Sequence, residues 1–212
     1  VIRRELPGPP RVLLIGVVRG LPSEVPPLLQ ALEAFRPETV GVGLSSDEAR
    51  GLSDHFGATL TEPVVPLAPT EEAEIRGLSR FGEVQVPHPG FLATLDWGRT
   101  HDLAIEPLDT SDEGYATMFT DHISYLELVR RTLRERKLTK NPPEAATGDE
   151  YVTTWERTIG GGKESEQFAL ARDRALADAA VRLGVGRRSL AVIVDRERFD
   201  RVGSLLTAAR SP

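Results

Sequence analysis

Short, unbroken apolar runs alternate with amphipathic stretches along this chain. Arg11 to Val18 (RVLLIGVV) follows the turn-rich Pro7-Gly8-Pro9-Pro10 and is almost continuously apolar. Such a run predicts a strand covered on both faces, the habit of parallel sheets. Ser23 offers a cap to a following helix, with Pro26 and Pro27 in the first turn, where a missing N–H costs least. Leu28, Leu29, Leu32 and Phe35 recur at helical spacing before Pro37, and Thr39 to Leu44 (TVGVGL) reads as a second strand. Together these predict a β–α–β unit.

The alternation continues downstream. Ser46, Asp47 and Glu48 open a short helix ending near Gly57, and Val64 to Leu67, hemmed by Pro63 and Pro66, is at best an edge strand. Thr70 begins another helix, Gly82 to Val86 reads as a short strand, and Pro89 to Trp97 as a helix. Leu103 to Leu108 (LAIEPL) is a further strand. Thr110 or Ser111, with Asp112 and Glu113 behind it, caps one long helix through Phe119, Ile123, Leu126, Val129 and Leu133. Asn141-Pro142-Pro143 ends that helix, and Asn141 to Gly148 is the stretch expected to be a mobile loop. A helix through Val152 and Trp155, a triple-glycine loop and a long helix from Glu164 to Leu183 follow. Ser189 to Val194 (SLAVIV) is the last buried strand, and Phe199, Val202, Leu205 and Leu206 mark a closing helix. The prediction is an α/β fold: a mainly parallel central sheet covered by helices, in a single domain over residues 1–212.

Composition narrows the functions. With 26 basic and 32 acidic side chains the chain carries a formal charge of −6, which argues against non-specific nucleic-acid binding. The absence of cysteine excludes disulfides, a thiolate nucleophile and a cysteine zinc site. No run reaches the roughly 18 apolar residues of a membrane span, so a soluble, cytoplasmic protein is expected. Charge is unevenly placed. Asp102 to Asp121 holds six acidic residues and no lysine or arginine, whereas Arg182 to Pro212 holds seven arginines against Asp195, Glu197 and Asp200. The two regions could meet across a homodimer or within one chain, and a basic helix face is usually just solvated.

Candidate chemistry follows from topology. In parallel sheets the functional crevice lies beyond the carboxyl ends of the strands, which singles out Arg19, Gly43, Ser45, Asp109 and Asp195. A cation buried there needs a carboxylate partner, so Arg19 is expected to pair with Asp109 or Asp195. Gly160-Gly161-Gly162-Lys163 lacks the first glycine of a phosphate loop and has Glu164 where Ser or Thr belongs; it reads as a helix–helix connector. His55, His88, His101 and His122 show no HxxxH or HxH spacing, and no metal site or cofactor is expected from them.

Several of these segments resemble the TraB/PrgY–Tiki group, relatives of the erythromycin-esterase-like and ChaN-like proteins. That group opens with a strand ending in G-x-x-H, followed by a helix and a strand like RPDVVAVELD. RVLLIGVVRG and RPETVGVGLS resemble those two elements, IEPLDT a later strand ending in Asp, and ARDRALA an ERDxxMA helix. The resemblance implies an α/β fold with a cleft holding catalytic metal ligands. Here Arg19 stands at the first histidine, Gly43 at the glutamate, and Asp195 or Arg196 near the second histidine, while Asp109 and Arg172 are retained. A guanidinium binds no metal cation and glycine has no side chain to do so. The expectation is a catalytically degenerate TraB-like domain whose cleft binds a small anion, a peptide or a partner. The alternative is a hydrolase, peptidase or esterase, with a site reorganised around Asp109, Arg19, Arg172 and Asp195.

Overall fold

The computed structural model describes residues 1–54 and 68–210 of the chain. His55 and the edge strand expected over Val64 to Leu67 lie outside them, as does the far end of the helix read towards Gly57. Five strands form one sheet: β1 (Ile2–Leu6), β2 (Arg11–Val17), β3 (Thr39–Val42), β4 (Ile105–Pro107) and β5 (Ser189–Asp195). Their spatial order is β1-β2-β5-β3-β4. β5 pairs in parallel with both β2 and β3, and β4 pairs in parallel with β3. The four strands expected from the apolar runs therefore share one mainly parallel sheet.

β1 adds an antiparallel edge that the sequence reading did not contain. Its sequence, IRREL, places three charged residues between Ile2 and Leu6, and only Leu6 is buried. A short edge strand needs no continuous apolar run, so it left no signal. β4 is shorter than expected, and Gly82 to Val86 forms no strand. Gly82 departs from extended geometry at φ +153°, and Gln85 donates a backbone hydrogen bond to Gly20 (2.8 Å).

The helices are α1 (Val25–Phe35), α2 (Ser46–Asp54), α3 (Pro69–Leu78), α4 (Pro89–Thr100), α5 (Asp112–His122), α6 (Tyr125–Lys140), α7 (Gly148–Ile159), α8 (Lys163–Gly184) and α9 (Phe199–Ala209). A 3₁₀ turn over Pro22–Glu24 precedes α1, so Ser23 is not its cap. The single long helix expected from Ser111 onward is instead two. Ile123 is extended and buried, and the Ser124 hydroxyl accepts from the Glu127 amide (3.3 Å), capping α6 afresh. The restart leaves Leu126 and Leu133 more than half exposed, so the apolar spacing that suggested one helix does not face the core. Ser111 caps α5 as anticipated, its hydroxyl accepting from Gly114.

Helices cover both sheet faces. Leu13, Ile15 and Val17 of β2 meet α1 and α4 through Leu28, Leu32 and Phe91. Val12 and Leu14, on the opposite face, meet α8 and α9 through Leu176, Val202 and Leu206. Every residue of β5 is buried. A third cluster gathers beyond the end of β2, where Val18 and Leu21 pack with Leu78, Tyr151 and Trp155 of α3 and α7. Among the described residues no helix is long and apolar enough to cross a membrane.

Candidate functional site

The parallel register sets Val17 opposite Asp195, so β2 and β5 end side by side. Gly20 then turns the chain at φ +86°, a conformation that glycine adopts without steric cost. Arg19, held between strand end and turn, donates from Nε to Asp195 Oδ1 at 2.5 Å. Its Nη1 lies 3.8 Å from Glu48 Oε1, and the guanidinium sits 5.5 Å from the centre of the Phe91 ring. Burial works against the charge on Arg19, but Asp195 more than compensates and raises its pKa. The partly buried cation thus has the carboxylate partner expected of it.

Asp109 occupies a second strand end. Leu108 and Asp109 continue the ladder past β4, donating from their amides to the carbonyls of Val42 (2.8 Å) and Leu44 (3.0 Å). The Asp109 carboxylate, 1% exposed, takes both Nε (3.2 Å) and Nη2 (2.7 Å) of Arg172 from α8. It also accepts from Arg198 Nη1 at 2.5 Å. Burial alone would raise the pKa of Asp109, yet Arg198 and Arg172 outweigh it and hold the group below its ordinary value. Arg198 reaches onward from Nε to Asp173 Oδ1 (2.6 Å), and Asp173 also accepts from Arg201. The result is a chain of three guanidiniums joined by two carboxylates. Arg198 Nη2 is buried and has no hydrogen-bond partner among the described residues.

These groups wall a cavity of about 250 Å³, reached by Arg19, Arg172, Asp173, Asp195, Arg198 and Arg201. The aromatic rings of Tyr115 and Phe168, the carboxyls of Glu74, Glu156 and Glu197, and Arg131 also line it. A neighbouring hollow of about 520 Å³ shares Glu156, Glu197 and Arg201. The three glutamates have no ion-pair partner among the described residues, and two of them are shifted in acidity. Burial and then Asp195 push Glu197 up to about 8. Burial and then Glu156 push Glu74 up to about 7, with Arg19 pulling the other way. His88, which precedes α4, is pushed down to about 4 by burial and by Arg19, so its imidazole is neutral near pH 7.

Of the residues singled out from sequence, Arg19, Arg172 and Asp195 line the cavity and Asp109 stands behind Arg172 and Arg198. Gly43 and Ser45 do not line it. The Gly43 amide donates to Ile193 (2.7 Å), against β5. Ser45 caps α2: its hydroxyl accepts from the Glu48 amide (3.1 Å) while Glu48 accepts from the Ser45 amide (2.8 Å). The glycine loop serves packing, since a Cβ on Gly162 would overlap the Glu127 carboxylate. Sequence reasoning missed Glu197 and Arg198, although both directly follow β5, where the strand-end rule applies. Glu74 carried no comparable signal, because α3 is rich in acidic residues along its first turn.

Among the described residues no three His, Asp or Glu side chains converge as metal ligands would. No protein-family model matches the chain, and a search of curated proteins finds no match.

Proposed function

We propose that this chain is a divergent relative of the TraB/PrgY–Tiki group whose cleft binds a small anion, with its metal-ligand positions replaced. One observation carries the reading: three guanidiniums share two carboxylates, and Arg198 keeps a buried Nη2 without a partner. An unpaired donor of this kind costs about 1–3 kcal/mol when buried, which an incoming oxyanion would recover. The link to the group rests on the sequence resemblance, in which Arg19, here paired with Asp195, stands at a metal-ligand position. For a homodimer, Arg182 and Arg187 on one side and Asp112, Glu113 and Asp121 on the other are all exposed. Light scattering that shows only monomer at high concentration and low salt removes that part of the reading.

Titration with inorganic phosphate and with acetate, followed by heteronuclear NMR at low ionic strength, tests the anion site. Saturable shifts centred on Arg172, Arg198 and Arg201 are expected, weakened several-fold in Arg201→Gln. Shifts that never saturate, or that centre elsewhere, overturn it.

A second reading, an acid–base hydrolase, rests on Glu74 and Glu197, whose pKa values of about 7 and about 8 suit proton transfer near neutrality. It is the weaker one. Asp109 and Asp195, its other carboxylates, are already committed to guanidiniums. Turnover in an esterase and peptidase screen, abolished by Glu197→Gln, would raise it above the first.

A further inference from the structure

The cleft holds groups of opposite need. Arg198 lines the cavity with its side chain 94% buried, and its Nη2 lacks a partner. Beside it, Glu74, Glu156 and Glu197 line the same space, each without an ion-pair partner among the described residues. The arginines around them are committed elsewhere, Arg131 of the lining to Glu135 at 3.2 Å. Arg19 is paired with Asp195, and Arg196 turns away to Asp149 and, at 3.4 Å, to Asp200. The cavity therefore holds one guanidinium donor without a partner and three carboxyls without an ion pair among the described residues.

Resting on the anion-binding reading, we propose that the ligand is a small zwitterion. Its carboxylate or phosphate is taken by Arg198 with Arg172 and Arg201, and its ammonium group by Glu197 with Glu74 or Glu156. Two carboxyls suffice to hold an ammonium, and no three of the described acidic or histidine side chains converge on one point. About 250 Å³ accommodates roughly eight waters' worth of volume, the scale of a free amino acid or an ω-amino acid. Tyr115, over which Arg172 stacks at 5.1 Å, and Phe168 offer apolar wall to a short methylene chain between the charges.

The electrostatics of these carboxyls give the proposal a distinctive pH signature. Glu197 faces Asp195, Arg19 and Glu156; Glu74 faces Glu156, Arg19, Asp195 and Glu71. With its pKa near 8, Glu197 is largely protonated at neutral pH and can attract a cation fully only once ionised. A simple anion gains nothing from that ionisation and is repelled by it. Zwitterion affinity should therefore rise with pH where anion affinity falls.

The test is isothermal titration of the full chain with γ-aminobutyrate, butyrate and butylamine, a matched series with both charges or one. At about pH 9 we expect γ-aminobutyrate to bind at least about ten-fold tighter than either single-charge analogue, an advantage that shrinks towards about pH 6. Glu197→Gln should remove most of the advantage at about pH 9 while butyrate binds no more weakly than before, since a repelling carboxylate is gone, and Glu74→Gln should do so in part. Equal binding of butyrate and γ-aminobutyrate at the higher pH overturns the zwitterion proposal and leaves the anion site standing. If neither they nor inorganic phosphate bind, the underlying reading falls as well.

Discussion

Replacing Arg198 by methionine tests the ionic chain at its centre. The side chain is 6% exposed and donates to Asp109 at 2.5 Å and to Asp173 at 2.6 Å. Two charge-assisted hydrogen bonds of about 1.5–3 kcal/mol each are lost, offset by the guanidinium no longer needing to be dehydrated. Removing one partner of a buried pair costs about 3–5 kcal/mol when the other is left alone. Here neither carboxylate is left alone, because Asp109 keeps Arg172 and Asp173 keeps Arg201. The expected loss is therefore at the lower edge, about 3 kcal/mol at neutral pH. That is a large share of the roughly 5–15 kcal/mol typical of a folded domain. Urea denaturation followed by circular dichroism measures it, with Arg188→Met as control. Arg188 is 90% exposed in its pair with Glu38, and its loss should cost under about 1 kcal/mol. The pH dependence has a fixed sign. The pKa of Asp109 lies below its ordinary 3.8, so its contribution is present above that value and is lost as pH falls through the folded pKa. The gap between wild type and variant should accordingly narrow in acid. A loss under about 1 kcal/mol at neutral pH, or one that grows as the pH is lowered, would refute the reasoning.

Other outcomes follow from contacts elsewhere in the molecule. Glu197→Gln should stabilise the protein above about pH 8 and change little below about pH 4.5, because the raised pKa makes wild-type stability fall across that interval; pH-resolved thermal melts check it. Tyr151→Phe should stabilise by about 1 kcal/mol, since Tyr151 Oη is buried without a partner among the described residues. Gly77→Ala should destabilise by about 1–3 kcal/mol, because a Cβ there overlaps that hydroxyl, and should cost less in the phenylalanine background. Purified protein should carry no stoichiometric zinc, manganese or cobalt by elemental analysis. Arg19→His should not create a tight site, as Gly43 still offers no carboxylate; a metal coordinated beside Asp109 would contradict this.

What the sequence made legible depends on where each signal is stored. β2, β3 and β5 are buried on both faces, and such strands must be apolar at nearly every position, so their runs were plain to read. β1 meets the sheet at its edge and needs only Ile2 and Leu6 to face inward, which leaves no run to find. Apolar spacing is likewise blind to a break that is itself buried. Ile123 keeps the helical rhythm of Phe119 while lying extended between two helices. For the site, strand ends pointed to Arg19, Asp109 and Asp195, because chain direction fixes which end of a parallel sheet is open. Arg198 bridging Asp109 and Asp173 required something more: the way α8 and the segment before α9 pack across the sheet, which no local pattern encodes.

The position of β5 has a consequence for how the fold is made. β2 and β3 are not neighbours; β5 lies between them, and the register sets Arg11 opposite Ser189. During synthesis, everything up to α8 is available while the middle of the sheet is still missing. Until β5 enters, the inner edges of β2 and β3 stand open, two unpaired apolar templates of the kind that recruit other chains. A ribosome stalled before residue 189 would present not a smaller folded protein but a sheet without its centre. This architecture delays commitment until β5 has been made, and the cleft residues at the end of β5 arrive with it.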